Sequence, residues 1–236
     1  MNNYSSGRLK RVSVGVAVMD RGILFDFDGV IVQSELVHHK SFMELFEKEG
    51  ICIDYQEWYK SYAGTGSRSI LERIKKDNKL DYDVSEYVLK RKKIYEKCLE
   101  KGDLKTTAGI EEFLKILQEK NIPKAIVSGS HRSNVLLGLK VTKMEKYFQV
   151  IVSGDDLEKK KPDPEPFLFA ARKLGISPKK SVVIEDSVSG AISARGGNFK
   201  LVIIKSPALL EVGKYDLLIE NFLDESPNRI INLLSK

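Results

Sequence analysis

Short apolar runs recur along the chain and alternate with segments in which apolar residues follow the spacing of an α-helix. The runs are rich in isoleucine and valine at successive positions, which is typical of strands buried on both faces of a parallel sheet. We predict such strands at residues 22–26, 123–128, 150–153, 181–185 and 200–204, and a weaker strand at residues 217–219.

Amphipathic helices are predicted between these strands. In one of them Phe167 and Leu174 lie on the apolar face, Pro164 stands near the start, and Gly175 occupies the position of a C-terminal cap. The repeated order of strand, helix and strand favours parallel pairing with right-handed crossovers. The predicted fold class is therefore α/β, with a doubly wound, mainly parallel sheet of the Rossmann type.

One long stretch does not follow this alternation. Residues 35–105 contain helical patterns and no convincing strand, and Phe42 and Phe46 lie on one helical face. A connection of this length is too long for a loop within a compact domain. We therefore predict a sheet domain formed by residues 1–34 and 106–236, into which a helical domain of residues 35–105 is inserted.

The composition is that of a soluble globular protein, with 42% hydrophobic and 31% charged residues among 236. The net charge of +6 could favour an anionic macromolecule, but the lysines are spread over several predicted helices. No zinc-finger spacing, basic zipper or aromatic RNA-binding motif is present. We therefore expect no nucleic-acid partner, although the positive charge can steer small anionic substrates.

Neither the cysteines nor the early apolar stretch points to a secreted or membrane protein. Cys52 and Cys98 form no disulfide framework, and their spacing matches no metal site. The apolar residues 12–19 are too few to span a bilayer, and we interpret them as a strand or a flexible extension. We expect a cytoplasmic protein without a membrane segment.

Carboxylates stand where two of the predicted strands end, at the edge of a parallel sheet where ligands bind. Asp26 and Asp28 are two residues apart on an extended strand and point to the same side, and Gly29 allows a sharp turn. An Asp-x-Asp pair also occurs in turns and calcium loops. Glu185 and Asp186 end another strand, and their hard oxygen ligands suit magnesium.

Groups suited to an anion follow two other strands. Ser128, Gly129 and Ser130 precede a predicted helix, whose free N–H groups can bind an anion, although Ser130 is also an ordinary N-cap residue. Lys161 precedes Pro162, which stiffens the segment, so its ammonium group is held in place. A fixed ammonium suits a phosphoryl oxygen or a carboxylate, and the alternative is a lysine exposed on a charged loop.

The order of these groups resembles the four motifs of the haloacid dehalogenase-like superfamily. The segments DFDGVIVQSE, VSGS, KKPDPEPF and VVIEDSVSGAISA are similar to those of β-phosphoglucomutase and its phosphatase relatives, and the resemblance extends over nearly the whole chain from Gly22. It implies that the inserted helices form a mobile cap that excludes water and selects the substrate.

The resemblance also implies roles for individual residues. Asp26 would attack phosphorus and form an aspartyl-phosphate. Asp28 would protonate the leaving oxygen and then activate the water that hydrolyses this intermediate. Ser128 and Lys161 would hold the phosphoryl oxygens.

A magnesium ion is the implied cofactor. Its ligands would be Asp26, the main-chain carbonyl of Asp28, and Asp186, with Glu185 acting directly or through water.

Further residues are candidates for contact with the substrate: Gly129, Ser130, His38, Arg68 and His131. His38 occupies the position of a histidine that gates the acid/base aspartate in β-phosphoglucomutases, and His131 is otherwise a polar surface residue. Three aromatic residues of the inserted helices are interpreted as packing rather than as a substrate platform: Trp58, Tyr59 and Tyr62.

The predicted activity is magnesium-dependent hydrolysis of a small phosphate monoester of the sugar-phosphate type, by a monomer that acts on a phosphorylated metabolite. The presence of Asp28 disfavours haloacid chemistry, because dehalogenases of the superfamily lack that residue. Ala63 and Ser67 stand where phosphosugar mutases carry basic residues, with Arg68 next to them, and Gln33 replaces the usual aspartate. A phosphosugar mutase and a non-catalytic phosphate-binding relative remain as alternatives.

Overall fold

A computed structural model describes residues 20–63, 65–206, 213–223 and 226–235 of the chain. The apolar stretch 12–19 and Gly64, which the sequence places in a turn of the inserted domain, lie outside the described residues. Within the described residues, no helix combines the length and the apolar character needed to cross a membrane.

Eight strands occur in the described part of the chain, and six of them form one parallel sheet in the order β5–β4–β1–β6–β7–β8. All six predicted strands are present, with ends that differ by at most one residue, and the predicted mainly parallel sheet is confirmed. The strands are β1 (Ile23–Phe25), β2 (Val32–Gln33), β3 (Lys105–Thr106), β4 (Lys124–Val127), β5 (Val150–Val152), β6 (Val182–Glu185), β7 (Lys200–Ile204) and β8 (Leu217–Ile219).

Helices follow β3, β4, β5 and β6 along the chain, as the apolar spacing predicts. The helix α7 follows Pro164 and ends at Gly175, whose φ of 70° is the left-handed conformation that glycine adopts most readily. The helices are α1 (Glu35–Leu45), α2 (Tyr55–Ser61), α3 (Ser67–Asp77), α4 (Val84–Glu100), α5 (Ile110–Glu119), α6 (Arg132–Thr142), α7 (Glu165–Leu174), α8 (Val188–Gly196) and α9 (Ser226–Leu233).

Alternate side chains of each central strand pack on opposite faces of the sheet. Phe25 and Ile184 join a core with α5, α6 and α9, whereas Leu24 and Val183 join a second core with α7 and α8. Full burial of side chains of this size contributes about 1.5–3 kcal/mol each. Because both faces are covered, the central strands are apolar in their interiors, and charged side chains stand only at their ends, such as Lys124, Glu185 and Lys200.

The helices α1–α4 lie between β2 and β3 and form the inserted cap, with a core of their own around Phe46, Trp58 and Leu71. Tyr95 and Leu99 of α4 pack in the main core and join the cap to the sheet. The antiparallel pair of β2 and β3 stands where the chain enters and leaves the cap. Sequence analysis missed this pair because strands of two residues show no periodicity. The cap boundaries at residues 35 and 105 stay a prediction.

Candidate active site

The predicted site residues meet at the carboxyl ends of the strands. Asp26 directly follows β1, Ser128 follows β4 and Glu185 is the last residue of β6. The main-chain N–H of Asp26 still donates to the carbonyl of Ile184 at 2.9 Å, so the sheet pairing extends to the site. Lys161 arrives from the loop between β5 and α7.

Lys161 is buried at the centre of the site. Its Nζ donates to Asp26 Oδ1 and to Glu185 Oε1, each at 2.6 Å, and to the carbonyl oxygen of Val127 at 2.8 Å. Burial alone lowers the pKa of Lys161, but the two carboxylates outweigh that effect and the net pKa is above the ordinary value. Lys161 is therefore a fixed cation between two carboxylates.

The carboxyl groups on either side are strongly perturbed by burial. Burial raises the pKa of Asp26 to about 8, although the positive charge of Lys161 partly opposes this rise. Burial and the neighbouring charge of Glu185 raise the pKa of Asp186 well above its ordinary value. These acids share too little positive charge to be ionised together at low cost.

Glu185 is fixed from several directions. Its Oε2 accepts the main-chain N–H groups of Asp186 and Ser187, at 3.0 and 3.1 Å, and the hydroxyl of Ser187 at 2.9 Å. Gly190 in the first turn of α8 allows this placement, because a Cβ atom there would lie 1.8 Å from Glu185 Oε1. The first turn of α8 thus provides both the space for the Glu185 carboxylate and hydrogen bonds to it.

The acidic residues fit a divalent cation. Oxygen atoms of Asp26, Glu185 and Asp186 all lie within 4.8 Å of one another, and Lys161 supplies a single positive charge to this cluster. Gly29, with φ of +80°, permits the close approach, because a Cβ atom there would lie 2.0 Å from Asp186 Oδ2. Hard oxygen ligands and an excess of negative charge suit Mg²⁺. The main-chain carbonyl of Asp28 stays a predicted further ligand.

Asp28 lies beside this cluster and is held by two hydroxyl groups. Ser34 Oγ donates to Asp28 Oδ1 at 2.5 Å, and Ser130 Oγ donates to Asp28 Oδ2 at 2.6 Å. The N–H of Ser130 donates to Ser128 Oγ at 3.0 Å, so the segment that contains Gly129 is folded towards the acids. The predicted anion-binding segment and the predicted acid/base residue are therefore in direct contact.

His38 lies at the base of the cap. Its Nδ1 contacts Arg91 Nη2, and its ring stacks on Tyr95 with centroids 4.5 Å apart. Because a guanidinium group only donates, Nδ1 accepts and the hydrogen of the neutral ring is on Nε2. Burial and the positive charge of Arg91 lower the pKa of His38 well below its ordinary value. His38 is thus held as a neutral imidazole.

Two other candidates, Arg68 and His131, are exposed and form hydrogen bonds with other surface residues. Arg68 is 58% exposed and donates to Ser85 Oγ at 3.0 Å. Ser85 lies in the first turn of α4, whereas Leu99, which packs in the main core, lies in its last turn. His131 is 72% exposed, and its Nδ1 is 2.8 Å from Asp155 Oδ1. Neither side chain joins the carboxylate cluster, and their contact with a substrate stays a prediction.

Sequence analysis missed Arg91, a buried cation near the site. Its Nε donates to Ser41 Oγ at 3.0 Å, and its guanidinium lies over the rings of Phe42 and Tyr95. Burial lowers the pKa of Arg91 to about 10. Arg91, Tyr95 and Cys98 follow helical spacing, so the periodicity of α4 contains the signal that places this arginine on the buried face.

The fold and the site define the class of this protein. Residues 23–204 match the sequence profile of the family described as Haloacid dehalogenase-like hydrolase, which is most of the chain, and the chain belongs to that family. The predicted superfamily and the fold with an inserted helical cap are therefore confirmed, and the protein is a hydrolase of this family.

Particular relatives are similar over nearly their full length. The chain is 26% identical over 224 residues to the phosphorylated carbohydrates phosphatase of Thermotoga maritima, covering 91% of this chain and 98% of that protein. A HAD hydrolase, family IA, variant 3, from Entamoeba histolytica matches with a TM-score of 0.76 and 25% identity, over 92% and 100% of the chains. The β-phosphoglucomutase of Clostridium difficile, at 24% identity and a TM-score of 0.70 over 91% and 99%, shares the fold.

Proposed function

We propose that this protein hydrolyses small phosphate monoesters in a magnesium-dependent reaction, through a phosphorylated intermediate on Asp26. The observation that carries the proposal is the contact of Lys161 with Asp26 at 2.6 Å, beside Asp28 and the anion-binding segment that begins at Ser128. The proposed nucleophile, the proposed acid/base residue and a fixed cation thus lie together at one edge of the sheet, as phosphoryl transfer requires.

In the first step an Asp26 carboxylate oxygen attacks phosphorus, and the bond between phosphorus and the ester oxygen breaks. The leaving alkoxide takes a proton from Asp28, which becomes a carboxylate. Lys161 favours the ionised carboxylate of Asp26 and offsets the charge of the transferring group, and a Mg²⁺ ion held by Asp26 and Asp186 would add further positive charge there.

In the second step Asp28 takes a proton from water, whose oxygen attacks the phosphorus of the intermediate. The bond from phosphorus to the Asp26 oxygen breaks, so that inorganic phosphate leaves and the carboxylate is restored. Ser34 and Ser130 keep the Asp28 carboxyl group oriented through both steps. Ser128 Oγ already accepts the N–H of Ser130, so its own hydrogen is available to a phosphoryl oxygen.

Phosphate release from a panel of sugar phosphates and simpler monoesters, with and without Mg²⁺, tests this function. We expect magnesium-dependent release that Asp26→Asn abolishes. Asp77→Asn is the matched control and keeps the activity, because Asp77 pairs with Arg73 on the cap surface. Release that persists in Asp26→Asn would refute the proposed nucleophile.

A phosphosugar mutase is the less favoured alternative. The basic residues that mutases carry at the positions of Ala63 and Ser67 are missing, and Arg68 is occupied with Ser85 and Glu72. A mutase would convert one phosphosugar into another with a bisphosphate activator and without net release of phosphate.

We also propose that the substrate is a phosphorylated metabolite and that the protein is cytoplasmic. The free thiols of Cys52 and Cys98 support a cytoplasmic location, because the cytosol keeps thiols reduced.

A further inference from the structure

The chain enters and leaves the cap through two short strands, and one side chain ties them together. In the pair of β2 and β3, Gln33 lies opposite Lys105. Gln33 Nε2 donates to Thr107 Oγ1 at 2.8 Å and lies 3.4 Å from the main-chain carbonyl oxygen of Gly29. Because a carbonyl oxygen only accepts, the nitrogen of the amide, and not its oxygen, faces both partners. The amide therefore supplies two hydrogens that a carboxylate at this position could not supply.

Thr107 is a fixed anchor for this amide. It is buried, and its main-chain N–H donates to the carbonyl of Ile31 at 3.0 Å. The carbonyl of Thr107 accepts the N–H of Ile110, the first residue of α5, at 3.1 Å. Ile110 is itself buried in the core on one face of the sheet. Gln33 thus ties the entry to the cap to a buried part of the sheet domain.

The strand β2 also closes the turn that carries Asp28. The N–H of Gly29 donates to the carbonyl of Val32 at 2.7 Å, and the N–H of Val32 donates to the carbonyl of Phe27 at 3.1 Å. Asp28 and Val32 are paired as an isolated bridge. A displacement of β2 would therefore move the main chain on both sides of Asp28.

Ser34 adds a direct contact with the carboxyl group of Asp28. It follows Gln33 in the chain, is buried, and donates from Oγ to Asp28 Oδ1 at 2.5 Å. The carbonyl of Ser34 accepts the N–H of His38 of α1 at 2.9 Å, so the same residue begins the cap. The direction in which the Ser34 hydroxyl points depends on the position of β2, and the amide of Gln33 fixes that position.

We infer that Gln33 is a positioning residue for Asp28, whose amide holds β2 in the place that directs the Asp28 carboxyl group to the reacting ester. The inference rests on the proposed function, in which Asp28 protonates the leaving alcohol and then activates water. The amide of Gln33 neither gains nor loses a proton in these steps. Its effect is therefore largest on steps that need Asp28, because proton transfer requires an aligned donor and acceptor.

The ratio of kcat/KM for the alkyl phosphate that the wild type hydrolyses fastest to kcat/KM for p-nitrophenyl phosphate tests this inference. Formation of the intermediate on Asp26 needs protonation by Asp28 only with the alkyl ester, because p-nitrophenolate leaves without a proton. We expect Gln33→Met to lower the ratio about tenfold, since a small misplacement of a catalytic group can cost up to about a hundredfold in rate. Gln33 is exposed, so this change disturbs no core packing. Gln118→Met, on the exposed side of α5, is the matched control and leaves the ratio unchanged.

Variants of Thr107 test whether the bond to Gln33 carries the effect. Thr107→Val removes the acceptor and keeps the shape, so it should lower the ratio as Gln33→Met does. Thr107→Ser keeps the hydroxyl and should keep the ratio. Gln33→Met combined with Thr107→Val should lower the ratio little further than Gln33→Met alone, because both changes remove the same bond. Thermal unfolding identifies the variants that fold, and Thr107→Val gives the same test if Gln33→Met does not.

The outcomes separate this inference from the proposed function. Equal losses for the two esters in Gln33→Met would mean that the amide only stabilises the fold. An unchanged ratio in Thr107→Val would assign the effect to another contact. Either result overturns the inference, while phosphate release by the wild type upholds the function. If the wild type releases phosphate from no ester, the proposed function fails and the inference falls with it.

Discussion

At the scale of single residues, Lys161 determines whether the acids of this site can be buried together. It is 10% exposed and contacts Asp26 and Glu185 at 2.6 Å each. Removal of one partner from such a buried ionic cluster leaves a charge without compensation, which is strongly unfavourable. Lys161 therefore has a structural effect that can be measured separately from turnover.

Lys161→Met is expected to lower the free energy of unfolding by about 3–5 kcal/mol in buffer without divalent cations. Urea denaturation at neutral pH measures the change. Lys160→Met is the neighbouring control, because Lys160 is exposed and donates to the main-chain carbonyls of Gly154 and Leu157 rather than to the acidic cluster. A loss in Lys161→Met no larger than that in Lys160→Met would contradict the account of the cluster.

At the scale of secondary-structure elements, the first turn of α8 is shaped to receive a carboxylate from β6. Ser187 caps the helix by accepting the N–H of Gly190 at 3.1 Å, while its own N–H and hydroxyl bond Glu185. The missing side chain at Gly190 gives the space that the Glu185 carboxylate occupies. The helix and the strand thus position the acid jointly.

Gly190→Ala is expected to lower the rate of phosphate release about a hundredfold, because a displaced Glu185 misaligns Lys161 and the metal ligands. Gly196→Ala is the control in the same helix. A Cβ atom at Gly196 would lie 3.5 Å from Pro164, an ordinary contact, and alanine favours a helix by about 0.5–1 kcal/mol. Steady-state kinetics and thermal unfolding compare the two variants, and equal activities would refute the role of Gly190.

At the scale of the whole molecule, burial of the acidic cluster links folding to pH and to the cation. The pKa of Asp26 is raised to about 8, above its value in the unfolded chain, so between pH 4 and pH 8 the folded state holds a proton that the unfolded state has lost. The stability contributed by this group therefore falls as the pH rises through that range. A bound cation requires the ionised carboxylates and reverses the trend.

We expect Mg²⁺ to raise the melting temperature more at pH 8 than at pH 5. Differential scanning fluorimetry at both pH values, with EDTA-treated protein as the reference, measures this difference. Asp26→Asn should reduce the dependence on pH, because the perturbed acid is gone. An equal shift at the two pH values would argue against a metal held by these carboxylates.

The fold was largely predictable because buried parallel strands have continuous apolar runs. The predicted strand 200–204 coincides with β7, and the predicted strands end at the polar groups that form the site. The orientation of individual cap side chains was not predictable. Trp58 and Tyr62 are buried in the cap core whereas Tyr59 is not, and the sequence of α2 does not show which of its aromatic residues the neighbouring helices cover.

The most direct test of the central claim is to detect the phosphoryl group on Asp26. The Asp28→Ala variant, mixed with p-nitrophenyl phosphate and Mg²⁺ and quenched in acid, should retain it, because this leaving group departs without protonation whereas hydrolysis of the intermediate needs Asp28. Mass spectrometry of peptides should find one added phosphoryl group on Asp26, and none in Asp26→Asn. Rapid turnover by Asp28→Ala with no phosphorylated Asp26 at any time would contradict the mechanism.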